Sequence, residues 1–86
     1  MKIGQTKNFE KQFRELPLNI RKKVVKQTRF LIQDFFHPSL HTKRHGFGKD
    51  WWEFRVDWHY RMIGKKINDH LILHSVGMHD VGLGKK

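Results

Sequence analysis

Two arginines stand among aromatic residues in the segment WWEFRVDWHYRMIG, which spans residues 51–64. The planar guanidinium group matches the geometry of phosphate oxygens, so Arg55 and Arg61 are candidate phosphate ligands. Two adjacent arginines repel each other unless an anion or water lies between them. In the alternative interpretation, Arg55 pairs with Glu53 or Asp57 along its own strand, and Arg61 faces solvent. The segment therefore raises the question of a phosphate-binding site.

Histidine is frequent in this chain, and an imidazole can act as general acid or base near neutral pH. His79 comes two residues after the glycine of SVG, at the end of the last predicted strand, where its side chain could reach over the sheet. His74 is a second candidate, and His41 and His45 lie in a basic loop. For each of them, a surface or structural role is the alternative. Because cysteine is absent and no histidine cluster has metal-ligand spacing, the sequence predicts no metal site and no cofactor.

The first half of the chain carries helical patterns that must position these residues. A short strand is predicted at residues 2–6, with Thr6 as the N-cap of a first helix. Pro17 opens a second helix that extends to Phe36 and ends before Pro38. The apolar stripe of this helix consists of Ile20, Val24, Leu31 and Phe35, flanked by Val25 and Ile32.

The second half alternates with the period of antiparallel strands, from Trp51 to Asp57 and from Tyr60 to Lys66. A three-residue connection keeps one sheet face apolar and places Arg55 opposite Arg61. The same register pairs Val56 with Tyr60, Phe54 with Met62 and Glu53 with Ile63. A turn at Asn68-Asp69 leads into a last strand, HLILHSVG. The two arginines should therefore lie side by side on the sheet face that does not pack on the helices.

The net charge of +10 is concentrated in the first part of the chain. Residues 1–49 carry twelve basic and three acidic residues, whereas residues 50–86 carry six and five. A field of this sign favours a nucleic acid or an acidic protein as partner, although part of it could be the solvated face of helices. The polar loop at residues 38–49 supplies candidate polyanion-binding side chains: His41, Lys43, Arg44, His45 and Lys49.

The length and composition are those of a single domain, residues 1–86, with one modest core. The absence of cysteine is compatible with a reducing cytoplasm. No apolar segment follows Met1-Lys2, and the longest apolar run is about three residues. The sequence therefore predicts neither a signal peptide nor a membrane span.

The order of several short motifs resembles the RelE/ParE superfamily of toxin–antitoxin toxins. FEKQFRELP, HPSL, WWEFRV, HYRMI and HSVGMHD follow one another along nearly the full length. The resemblance implies an α+β fold in the order β-α-α-β-β-β, a small antiparallel sheet with two N-terminal helices on one face. It also implies a metal-independent endoribonuclease that cleaves mRNA, commonly on the ribosome, by attack of the 2′-hydroxyl on the adjacent phosphate.

The resemblance assigns roles to individual residues. The arginine of the YR motif is Arg61, which is expected to contact the scissile phosphate, and the strand arginine is Arg55. The residue two positions after the glycine of SVG is His79, which is expected to serve the leaving group. Trp51 and Glu53 stand where RelE has the strand lysines implicated as general base. The base is therefore expected to be Glu53 or a loop residue, namely His41, His45 or Lys49.

The sequence thus predicts a cytoplasmic toxin with ribonuclease activity, whose partners are an antitoxin, mRNA and the ribosome. An acidic, partly disordered antitoxin segment would fold onto the basic surface. Two alternatives stay open: a non-enzymatic ParE-type inhibitor of DNA gyrase, and an RNA-binding module without catalysis. The grouping of His79 with Arg55 and Arg61 favours the nuclease, because an inhibitor needs no titratable group beside phosphate-binding arginines.

Overall fold

The helices and strands follow one another in the α+β order that the sequence predicts, with one short strand added. The computed structural model describes residues 1–78. Its elements are β1 (Lys2–Gln5), α1 (Lys7–Glu15), α2 (Leu18–Gln33), β2 (Lys43–Arg44), β3 (Trp51–Arg55), β4 (Tyr60–Ile67) and β5 (His70–Met78), with a 3₁₀ turn at Pro38–Leu40. In this part of the chain, no helix is both long and apolar enough to cross a membrane.

The five strands form one mixed sheet in the spatial order β1-β5-β4-β3-β2. Strands β3, β4 and β5 pair antiparallel, as the sequence predicts. The unpredicted β2 also pairs antiparallel, with β3, whereas β1 pairs parallel with β5 at the edge. The predicted N-cap is confirmed, because Thr6 Oγ1 accepts a hydrogen bond from Phe9 N at 3.0 Å. The same hydroxyl donates to His74 O at 3.2 Å, and so ties the start of α1 to β5.

The β3–β4 hairpin has the predicted register. Arg55 lies opposite Arg61, with Phe54 opposite Met62 and Glu53 opposite Ile63. Val56 N donates to Tyr60 O at 2.9 Å, which leaves the predicted three-residue connection of Asp57, Trp58 and His59. A register that keeps one face apolar is strongly specified by burial, which explains why the pattern sufficed.

The second helix ends three residues earlier than predicted. It stops at Gln33, because Asp34 is extended at φ −158° and its Oδ1 accepts a hydrogen bond from Phe36 N at 3.0 Å. This local side-chain turn competes with the helical backbone. Phe35, which was expected on the helical stripe, packs from the following turn, with its ring centre 5.5 Å from that of Phe54.

The loop at residues 38–49 is more ordered than its polar composition indicates. Leu40 is fully buried, and β2 pairs with β3 in the register Lys43 to Glu53 and Arg44 to Trp52. A two-residue strand has no periodicity of its own, so only its pairing with β3 identifies it. This pairing brings the basic loop against the arginine-bearing sheet.

The helices cover one face of the sheet and leave the other uncovered by helix. The core between them consists of Phe9, Leu16, Ile20, Val24, Leu31, Leu40, Phe54, Val56, Met62, Leu71, Leu73 and Val76, with Trp52, Tyr60 and Phe35 partly buried against it. We call the opposite side the outer face; it carries Glu53, Arg55 and Arg61 from β3 and β4. The prediction that Arg55 and Arg61 lie opposite each other, on the sheet face away from Phe54 and Met62, is confirmed.

Candidate active site

A cleft of about 330 Å³ opens on the outer face between the basic loop and the paired arginines. It is lined by His41, Thr42, Lys43, Arg55 and Arg61. Arg55 and Arg61 are directly opposite each other across β3 and β4, and β2 brings Lys43 to the neighbouring edge of the sheet. A concave surface with two guanidinium groups and an ammonium group is suited to bind a phosphate group.

A buried carboxylate lies next to this cleft and contacts its basic residues. Glu53 is only 7% exposed. Its Oε2 is 3.3 Å from Arg61 Nε and 3.8 Å from Lys43 Nζ, and its Oε1 is 3.3 Å from His45 Nδ1. We call these four residues the Glu53 cluster. The sequence suggested Glu53 as a general base, but its contacts with three basic side chains favour a positioning role.

The two arginines are held in different ways. Arg61 does not face solvent but forms an ion pair with Glu53. Its Nη1 donates to Asp57 O at 3.0 Å and to Tyr60 O at 3.3 Å. The Cζ of Arg55 lies 5.1 Å from the centre of the Trp58 ring. Its Nε is buried and has no hydrogen-bond acceptor among residues 1–78. Arg61 is thus oriented in advance, whereas no hydrogen bond to residues 1–78 fixes the Nε of Arg55.

The two loop histidines lie in different environments. His41 is exposed and lines the cleft beside both arginines, at a backbone φ of 47° that few residues other than glycine adopt. The His45 side chain is 16% exposed, bonded to Glu53, with its ring centre 4.3 Å from that of Phe47. A general base must reach the proton that it removes, so His41 has the better position.

Gln27 supports the site, although the sequence pattern did not identify it as a site residue. It is 4% exposed, and its Nε2 donates to Arg55 O at 2.8 Å and to Ser39 O at 3.1 Å. Ser39 Oγ donates in turn to Gln27 Oε1 at 3.1 Å. Gln27 thereby joins α2 to the end of β3 and to the start of the basic loop. A polar residue inside the apolar stripe between Val24 and Leu31 was the available signal.

His74, the second candidate proton donor in the sequence, lies on the outer face of the sheet. The structure places it at a bulge in β5, where Ser75 pairs with Ile63 and Leu73 pairs with Gly64. Burial and the nearby Lys65 ammonium lower the pKa of His74 below its usual 6.5. The imidazole is therefore mostly neutral at pH 7, and it carries few protons to donate.

Two further predicted site residues, Arg44 and Lys49, are not part of the cleft. Arg44 lies on the helix side of the sheet, with its Cζ 4.8 Å from the centre of the Trp52 ring. Its Nη1 donates to Lys49 O at 2.6 Å, so Arg44 and Lys49 form a separate exposed basic patch. His79 lies outside the described residues. Within residues 1–78, no three histidine, aspartate or glutamate residues come together as a possible metal site.

Solved structures that align over most of this chain include toxins, among them the toxin of an antitoxin–toxin complex. A YoeB/ParE toxin from Agrobacterium tumefaciens aligns with a TM-score of 0.76 at 14% identity, over 92% of this chain and 99% of that chain. A chain of the RelB–RelE antitoxin–toxin complex from Methanococcus jannaschii aligns with a TM-score of 0.75 at 18% identity, over 90% and 91% of the two chains. YafQ from E. coli aligns with a TM-score of 0.70 at 16% identity, over 91% and 92%.

Comparison with family models and with curated proteins gives no match. The structural likeness, at these identities, establishes the fold. The chain has the fold of the RelE, YoeB and YafQ toxins, and the predicted RelE-like α+β class is confirmed.

Proposed function

We propose that this protein is a toxin-type endoribonuclease that cleaves mRNA by attack of a 2′-hydroxyl on the adjacent phosphate. The observation that carries the proposal is the cleft of about 330 Å³ that His41 shares with Arg55 and Arg61. It combines a titratable imidazole with two phosphate-binding groups, which an inhibitor that acts only by binding does not require. The fold shared with RelE and YafQ supports the same function.

In the proposed reaction, Arg55 and Arg61 hold the scissile phosphate and stabilise the negative charge that develops on its oxygens. A bond forms between the 2′-oxygen and phosphorus, while the bond from phosphorus to the 5′-oxygen breaks. His41 takes the proton of the 2′-hydroxyl. The products are a 2′,3′-cyclic phosphate and a 5′-hydroxyl, so that no water is consumed in this step.

The Glu53 cluster supports this chemistry by fixing Arg61. The guanidinium group is bound at Nε by the carboxylate and at Nη1 by two backbone carbonyls, which restricts its rotation. A donor oriented before the substrate binds loses little entropy in the transition state. His45, on the other side of the same carboxylate, is proposed as a positioning residue.

We assign the proton on the departing 5′-oxygen to His79, as the sequence resemblance implies. The assignment is supported by the place of its neighbours: Gly77 lies opposite Arg61, and Met78 lies opposite Tyr60. The chain therefore leaves β5 beside the arginine that holds the phosphate. His74 is a weaker candidate, because its lowered pKa leaves it mostly unprotonated at neutral pH.

Mapping of RNA ends tests the proposal against its alternatives. The protein is incubated with free mRNA and with ribosome-bound mRNA, each with and without EDTA. Cleavage that survives EDTA and leaves cyclic phosphate ends is the expected result. Gyrase-dependent DNA breaks without RNA cleavage would instead identify a gyrase inhibitor. Tight RNA binding with neither outcome would identify a binding module.

We also propose that an antitoxin docks on the helical side, in a groove between α1 and α2. The groove consists of two adjoining hollows of about 250 and 460 Å³ that share Phe13, Val25 and Arg29. Along α2, Leu18, Val25 and Ile32 recur every seven residues and are 58%, 43% and 52% exposed. This spacing suits the apolar face of a partner helix.

The charge around this groove indicates an acidic partner. Residues 18–33 contain five basic residues and no aspartate or glutamate. Arg21 lines the larger hollow, and its Nε is buried without a hydrogen-bond partner in the described part of the chain. An acidic amphipathic helix would complement the positive charge of α2 and cover the apolar stripe. The RelB–RelE complex has an antitoxin bound to a toxin of this fold.

Two substitutions that each introduce a negative charge test the docking site. Val25→Glu places an anion in the groove, while Ile67→Glu makes the same change at a residue that is 53% exposed at the end of β4. We expect Val25→Glu to weaken binding of the protein encoded by the adjacent reading frame by at least about ten-fold, because it repels an acidic helix. Equal effects of the two changes would show that the partner binds elsewhere.

A further inference from the structure

The outer face carries a group of aromatic rings that the proposed reaction does not use. Trp51 lies between Phe47 and His74, with ring centres at 5.3 Å and 4.6 Å respectively. Phe47 is 59% exposed, although it is a large apolar side chain. Lys65 lies opposite Trp51 on β4, with its Nζ 5.9 Å from the centre of the indole ring. We call Phe47, Trp51 and His74 the aromatic platform.

The platform and the phosphate cleft lie on the same side of the same strand. Trp51, Glu53 and Arg55 alternate along β3 and therefore point to the outer face, with Trp51 about 13 Å from Arg55 along the strand. A chain that passes over both sites would run parallel to β3. Exposed aromatic rings next to a cationic groove are the usual features of surfaces that bind single-stranded nucleic acid.

We propose that the aromatic platform is a stacking subsite for an unpaired base of the RNA. The inference rests on the proposed function, since the phosphate of a nearby nucleotide would lie between Arg55 and Arg61. Trp51 offers the largest π surface, Phe47 borders it at the exposed end, and Lys65 adds a cation beside the ring. A neutral His74 fits this role, since it packs on Trp51 without adding charge. Stacking of this kind tolerates any base, so the subsite would increase affinity without dictating sequence.

The test measures binding without cleavage. The probe is a short 2′-O-methyl oligoadenylate, in which the 2′-oxygen cannot attack, together with the same oligomer carrying abasic positions. We expect Trp51→Leu to weaken binding of the base-bearing oligomer roughly ten-fold, and to leave binding of the abasic oligomer unchanged. Phe47→Leu should act in the same direction, and its exposed position means that the fold is retained.

Two controls separate stacking from other effects. Phe36→Leu removes an aromatic ring that is 62% exposed and that contacts Phe35 and Trp52 on the helix side, and it should not change binding. The platform variants should also keep the parent slope of affinity against salt, because they remove no phosphate contact.

The outcomes distinguish this inference from the proposed function. Base-dependent binding by a protein that does not cleave RNA would support the platform and refute the nuclease. Cleavage by a protein whose Trp51→Leu variant binds both oligomers like the parent would refute the platform alone. Equal losses for base-bearing and abasic oligomers, or no binding by the parent protein, would overturn the inference as well.

Discussion

At the scale of single residues, the site depends on which side chains are fixed and which remain available. Arg61 is held by a carboxylate and two carbonyls, while Arg55 keeps a donor without a partner among the described residues. His41 borders both arginines in the cleft. An oriented guanidinium group, a second guanidinium group in the same cleft and an exposed imidazole are what the proposed chemistry requires.

The proposed proton transfers predict that the histidine variants differ in cleavage rate. His41→Gln and His79→Gln should each lower the single-turnover cleavage rate by about 10²- to 10⁴-fold, because glutamine cannot exchange a proton at neutral pH. His45→Gln should have a smaller effect, since it only loosens the Glu53 cluster. His70→Gln, at the exposed start of β5, is the matched control. Should His41→Gln cleave as fast as the parent, Glu53 or His45 would become the candidate base.

Loss of the Glu53 charge should lower the free energy of unfolding more than loss of the charge on its exposed partner Lys43. Glu53→Gln leaves the side chains of Arg61 and His45 partly buried without a counter-ion, and we expect it to lower the free energy of unfolding by about 3 kcal/mol. Lys43→Met removes a partner whose side chain is 64% exposed, so its effect should be below about 1 kcal/mol. Urea unfolding of both variants measures the difference. Similar losses would mean that Lys43 and not Arg61 carries the interaction.

At the scale of elements, the β3–β4 connection is joined to α2 by one aspartate. Asp57 Oδ1 accepts hydrogen bonds from His59 N at 2.9 Å and Tyr60 N at 3.0 Å, and Oδ2 accepts from Lys23 Nζ at 3.1 Å. Burial raises the pKa of this carboxyl, but the three hydrogen bonds outweigh burial and the net pKa is lowered below 3.8. The turn that separates the two arginine strands is therefore stabilised by an ionised group.

This arrangement predicts an acid-sensitive contribution to stability. Because the folded-state pKa of Asp57 lies below 3.8, its contribution is full at pH values above that and is lost as the pH falls through the folded value. Asp57→Asn should cost about 1 kcal/mol at pH 7, and this difference should shrink in strong acid. Asp69→Asn, at a side chain that is 74% exposed, serves as control. A pH-independent difference between parent and Asp57→Asn would rule out the ionic contribution.

At the scale of the whole molecule, positive charge lies on both sides of the sheet. The phosphate cleft and the aromatic platform occupy the outer face of the sheet, whereas the groove between α1 and α2 lies on the opposite side. The sheet between them is only one layer thick, and the molecule extends about 31 × 27 × 25 Å. An RNA and an acidic helix could therefore each bind to a surface of their own.

The separation predicts different salt dependences for different lysines. Lys43→Ala should flatten the slope of log affinity against log salt for a non-cleavable RNA by about 0.7, because it removes one phosphate contact. Lys22→Ala, in the α2 groove, should leave that slope unchanged. Arg44→Ala and Lys49→Ala should change it less than Lys43→Ala, since they lie away from the cleft. Equal changes for Lys43→Ala and Lys22→Ala would show that RNA binds to the net charge of the whole molecule.

The sequence by itself determined both helices, the strands β1, β3, β4 and β5, the hairpin register and the side of the sheet on which the arginines lie. Alternation along residues 51–66 sufficed, because moving the register by one residue would bury charge and expose Phe54 and Met62. The N-cap at Thr6 was likewise a local property. Information of this kind lies within a few residues of the position that it describes.

Only the tertiary structure decided how distant segments meet. The parallel pairing of β1 with β5, the strand β2, and the link from Gln27 to Arg55 each join residues that are far apart in the chain. The same holds for the Glu53 cluster, in which the carboxylate suggested as a base contacts Arg61 and His45. Hydrogen bonds and ion pairs depend on separations of a few ångströms between side chains, and no periodicity in a sequence encodes such distances.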